Sequence, residues 1–157
     1  MNQIRIAPTR MVADDLIGVW RLVSCLDIAE AGNTSEGPLG TAPRGLLIYD
    51  QHGYMSVSMM RSDHDDGSGN PPRTATGAIR TAPGMSYLGY SGTWRLADGP
   101  VVVHEVEVSA HPHMVGTEQI RQVVLQGDLL TLYGNAVISE RPLRRMLNWQ
   151  RALRVFS

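Results

Sequence analysis

The chain has 157 residues, enough for one domain with a real core. Its formal net charge is -1 and its pI is about 6.5, so nothing favours a nucleic acid or an anionic membrane as partner. The single cysteine, Cys25, excludes an intrachain disulfide, and no apolar run approaches the roughly 20 residues of a membrane span.

Residues 1–15 read as an N-terminal arm without the apolar core of a signal peptide, which makes a cytoplasmic protein the expectation. Within the arm, "MVADDLIG" predicts one short helical turn. Turn signals then punctuate the chain at "DQHG", "ADGP", "HPHMVG" and "QGD". Between them lie short runs rich in Val, Leu, Ile, Thr and Tyr. These predict eight strands, over about 18–29, 43–50, 53–61, 89–97, 100–110, 116–126, 129–135 and 144–153. Short strands joined by tight turns are the pattern of an antiparallel barrel or sandwich.

Residues 61–84 stand apart as a long polar loop with a weak helical stretch, a candidate lid over one mouth. "DHDDGSGN" within it fails as a calcium loop. Counted from Asp63, the sixth position is Ser68 rather than Gly and the twelfth is Thr74 rather than Glu. "GVWRL" at 18–22 returns as "GTWRL" at 92–96. This suggests two strands that begin alike, with Trp20 and Trp94 as structural plugs. Trp149 with Arg151 is a third candidate plug, an indole under a guanidinium.

Five stretches occur in order from about Leu16 to Arg151: "LIGVWRLVS", "PRGLLIYDQHGYMSVSMMR", "YLGYSGTWRL", "VVVHEVEVSAHPHMVGTEQIRQVVLQGDLLTLYG" and "LNWQRAL". Together they resemble the bacterial and fungal lipocalin-like domain family. The resemblance implies an all-β, up-and-down antiparallel barrel of about eight strands as a single domain over 1–157, holding one small ligand. His104 and Arg121 stand where the family pattern carries His and Arg. His111-Pro112-His113 and Met114 depart from it, so no family role transfers to them.

Strand alternation then assigns faces. Val102, His104, Val106 and Val108 share one face of their strand; Val103, Glu105, Glu107 and Ser109 share the other. The apolar set faces inward, because burying two unpaired glutamates is costly. A hairpin centred near His113 places Val106 opposite Arg121, Val108 opposite Gln119 and His104 opposite Val123. His104, Gln119 and Arg121 then form a polar cluster on an apolar inner wall, the signature of a small-molecule site. In the 46–60 hairpin, Leu46, Ile48, Met55 and Val57 are expected inside, with Tyr49 and Tyr54 lining a mouth. The candidate ligand contacts are therefore Gln119, Val106, Val108, Val123, Met55, Val57, Tyr49 and Tyr54.

No metal site is expected. His104 lies some 20 Å along the strand from His111 and His113, at about 3.3 Å per residue, so the three cannot share one ion. Nucleotide motifs and a nucleophile elbow are absent from the sequence, and no cofactor is expected. The remaining chemistry is proton transfer, with His104 as acid/base and Arg121 holding an oxyanion or carboxylate. The expectation is a barrel for an apolar or polyketide-like metabolite. It would be joined to cofactor-free cyclisation or isomerisation in secondary metabolism, the alternative being a non-catalytic carrier. Haem ligation by His104 is a minor reading, and homodimerisation is left open.

Overall fold

The computed structural model describes residues 10–62, 87–138 and 140–156. They form nine strands: β1 (Gly18–Ile28), β2 (Thr34–Glu36), β3 (Pro43–Tyr49), β4 (Tyr54–Arg61), β5 (Tyr87–Ala97), β6 (Val101–Ser109), β7 (Glu118–Gln126), β8 (Leu129–Ile138) and β9 (Arg141–Arg151). All pairings are antiparallel. From β3 onward each strand pairs with the next in sequence, and β1 closes the sheet by pairing with both β3 and β9. The result is a closed barrel of eight strands, with β2 added along the far end of β1. Closure leaves the barrel strands without free edges, the main hazard of all-β folds. The predicted helical turn is a short 3-10 segment, Ala13–Asp15, and Pro112–Met114 is the other one described. The lid expected over 61–84 falls largely on 63–86, outside the described residues.

One end of the barrel is plugged. Trp20 is fully buried, and its indole N–H donates to the Leu16 carbonyl at 3.0 Å. The Arg151 guanidinium lies 4.2 Å from the centre of the Trp20 ring and donates to the carbonyls of Ile17 and Asp15. Arg151 therefore caps Trp20, its partner in the β1–β9 register, rather than Trp149. Such a stack adds about 1 kcal/mol to the burial of the indole. Trp94 closes the neighbouring sector by donating to the Asp50 carbonyl at 3.0 Å.

Three expectations change, two of facing and one of register. In the β3–β4 hairpin, Tyr49 pairs with Met55 and Leu47 with Val57. The turn holds one more residue than expected, closed by Asp50 N–H to the Tyr54 carbonyl and Gly53 N–H to the Asp50 carbonyl. One residue inverts a face. Leu47 and Tyr49 therefore join Met55, Val57 and Met59 inside, while Leu46, Ile48 and Tyr54 face out.

Between β6 and β7, His104 pairs with Gln119 and Val102 with Arg121, four residues from the expected register. The turn closes on Val106, whose N–H donates to Thr117 and whose carbonyl accepts from Gly116. Four is an even shift, so the inward set survives.

Val108 is the third change. A bulge places Ser91 opposite Val108 but Gly92 opposite Val106, so Glu107 is the extra residue and alternation reverses beyond it. Val108 is 66% exposed on the outer wall. Gly92 makes this bulge possible: a Cβ there would lie 1.8 Å from the Glu105 carbonyl oxygen.

Candidate ligand-binding site

On β6, opposite Trp94 in the β5–β6 register, His104 is held between two tyrosines. The Tyr49 hydroxyl, from the end of β3, is 2.7 Å from Nε2; the Tyr90 hydroxyl, from β5, is 2.7 Å from Nδ1. All three side chains are buried, with His104 at 2% exposure. The Trp94 ring lies 4.5 Å from that of Tyr49 and extends the aromatic wall. Burial, then the nearby Arg121 charge, lowers the His104 pKa to about 3, so the imidazole is neutral. Burial raises Tyr90 to about 12 and drives Tyr49 well above its usual value, so both phenols keep their hydrogens. Neither ring nitrogen of His104 is left for a haem iron or for direct contact with a ligand.

Arg121 lies on the adjacent strand, toward the open end. Nη1 donates to the Ile120 carbonyl at 2.8 Å and Nη2 to Gln119 Oε1 at 3.3 Å. Gln119 is oriented in turn, since its amide donates to Thr117 Oγ1 at 3.0 Å and Thr117 donates to the Met114 carbonyl at 2.6 Å. A guanidinium has five N–H donors, and two of these are spent on neutral oxygens. Among the described residues no carboxylate pairs with Arg121.

Its neighbour Arg145 differs. Arg145 donates to both oxygens of Asp27, at 2.8 and 3.2 Å, and Asp27 is nearly fully buried. That pair is internally neutral. Cys25, on the same inner face of β1, has its thiol pushed up to about 11 chiefly by burial, which makes it an unreactive wall residue.

Between the two arginines lies a cavity of about 70 Å³, lined by Arg121, Arg145, Met59, Leu88, Leu147 and Leu39, among others. It is mainly apolar, and among the described residues one of its two cations, Arg121, has no carboxylate partner. Larger recesses of about 520 and 650 Å³ lie on the outer wall and beside the plugged end, and touch none of His104, Gln119 or Arg121.

Of the residues expected at the site, His104, Gln119, Arg121, Val106, Val123, Met55, Val57 and Tyr49 all belong to the inner face. Tyr54, 60% exposed, and Val108 do not. His111 and His113 sit in the turn with ring centres 5.8 Å apart, and among the described residues no group of three metal-ligating side chains forms. Sequence reasoning missed Tyr90, Asp27 and Arg145. Tyr90 carried a signal: it shares a face with Gly92 and Trp94, so an inward Trp94 implies an inward Tyr90.

This closed barrel, plugged at one end and carrying a few polar side chains on an apolar inner wall, is of the lipocalin type. The chain belongs to the lipocalin-like domain family, whose model matches residues 17–152. It is 32% identical over 110 residues to the 4'-hydroxy-3'-methoxypropiophenone carrier protein of Aspergillus oryzae, covering 64% of this chain and 99% of that protein. Among solved structures it is similar to bovine odorant binding protein in complex with undecanal. There the identity is 14% and the TM-score 0.44, covering 94% of this chain and 78% of that one. Among the described residues no helix is long and apolar enough to cross a membrane.

Proposed function

We propose that the protein is a carrier for a small, largely apolar molecule bearing an acceptor oxygen, bound at the open end of the barrel and anchored by Arg121. The observation that carries this reading is the state of Arg121. Among the described residues it is a charged group of the inner wall with spare donors and no carboxylate, beside a mainly apolar cavity, while Arg145 is neutralised by Asp27. A partly dry cation of that kind favours a ketone, enolate or carboxylate oxygen over water. The carrier named for the Aspergillus relative takes an aryl ketone, which fits the same chemistry. Mass spectrometry of small molecules released from the purified protein tests this. An apolar carbonyl or carboxyl compound is expected; consistent recovery of compounds without an acceptor oxygen would contradict it.

A second reading, cofactor-free isomerisation or cyclisation, has one supporting observation. The phenol–imidazole–phenol chain can relay a proton and recover it, and the Arg121 charge, which acts on His104, is a candidate stabiliser of an enolate. His104 would then act through a tyrosine rather than on the substrate. Conversion of the bound compound by wild-type protein, lost in His104→Ala with binding retained, would establish catalysis. An unchanged compound leaves carriage alone.

A further inference from the structure

The Tyr49–His104–Tyr90 chain contains more hydrogens than its own contacts use. Each phenol carries one O–H, and a neutral imidazole carries one N–H. Two contacts join the three groups, one at each ring nitrogen. At the bare nitrogen a phenol donates. At the other nitrogen the imidazole N–H donates to the second phenol, whose own O–H is then unused. Either tautomer leaves one O–H over, and a charged imidazole would leave two. Both phenols are buried, and neither hydroxyl has another hydrogen-bond partner among the described residues. A buried donor of this kind calls for an acceptor that these residues do not supply.

We infer that this spare hydrogen is a second recognition element: it donates to a neutral carbonyl oxygen of the bound molecule, so that Tyr49 or Tyr90 selects ketones, esters or lactones over hydrocarbons of the same shape. The inference rests on the carrier reading. It adds a neutral donor to the cationic one at Arg121. The surroundings favour a neutral acceptor at this point, because both phenols are buried, Tyr49 against Trp94 and both against the neutral imidazole, where a full anion would be poorly solvated. A change of imidazole tautomer reverses the whole chain, so either end can present the donor and the ligand decides which. Resident water is the competing acceptor.

Propiophenone and propylbenzene are matched probes that differ in the carbonyl. Calorimetric titration of both, with infrared spectra of bound propiophenone, tests the proposal. Wild-type protein should bind propiophenone more tightly and lower its carbonyl stretch relative to that in hexane. One of Tyr49→Phe and Tyr90→Phe, but not both, should weaken propiophenone binding roughly three- to tenfold, the worth of one neutral hydrogen bond, and leave propylbenzene unchanged. Part of the infrared shift should persist in Arg121→Met, a readout that does not depend on the tyrosine variants folding. Equal affinities for the two probes, a shift that vanishes entirely in Arg121→Met, or two Phe variants that bind like wild type would each overturn the inference. Failure of both probes to bind wild-type protein would overturn the carrier reading and this inference with it.

Discussion

Arg121 lies across Gly134. A Cβ built on Gly134 would come within 2.9 Å of Arg121 Nε and 3.0 Å of its Cδ and Cζ. The missing side chain on β8 is therefore the space that holds the guanidinium at the cavity wall. Gly134→Ala should displace the mobile end of Arg121 rather than any backbone. Stability should change by no more than about 1 kcal/mol, while affinity for an acceptor-bearing ligand falls. Urea unfolding together with propiophenone titration checks this, and unchanged affinity would refute the positioning role.

Gly92 makes the opposite case. Its missing Cβ is opposed by backbone, the Glu105 carbonyl oxygen at 1.8 Å, in the ladder beside the Glu107 bulge. Neither partner can move without parting β5 from β6. Gly92→Ala should cost more than about 3 kcal/mol or abolish soluble expression. Near-native stability of that variant would mean that the bulge is not placed as described.

The buried imidazole sets the acid limb of stability. His104 titrates at about 3 when folded against roughly 6.5 when unfolded, so between those values the unfolded chain binds the extra proton. Stability should fall as pH drops through that window, by up to about 1.4 kcal/mol per unit from this group. Tyr90, raised to about 12, should contribute a loss of stability as pH climbs from roughly 10. Denaturant unfolding across pH should show a shallower acid limb in His104→Gln; identical slopes would contradict the assignment.

The barrel was legible in the sequence because period-2 alternation and turn residues mark strands locally. Six of its eight strands lie within two residues of their expected bounds, while β8 ends three residues later and β9 begins three residues earlier. Facing is a finer matter, decided by single residues in turns. His104 and Arg121 were placed inside despite a wrong register, because a four-residue slip preserves parity. Leu46 and Ile48 were misplaced because one extra turn residue does not. Val108 was lost to a bulge whose cause, the close approach of Gly92 to Glu105, is a contact between strands that no single strand reveals. The Asp27–Arg145 pair spans 118 positions in sequence and depends on another register shift in β1, between Leu22 and Ser24. The tyrosines needed only their partner: once His104 is inside, its two nitrogens require buried groups to meet them.

Arg121 is the proposed anchor of the carried molecule. Isothermal titration of propiophenone into wild-type protein and into Arg121→Met, with unfolding measured on both, tests this most directly. The prediction is binding by the wild type, a loss of at least about tenfold in the variant, as for a hydrogen bond from a charged group, and little change in stability. Equal affinity in the two proteins would contradict it.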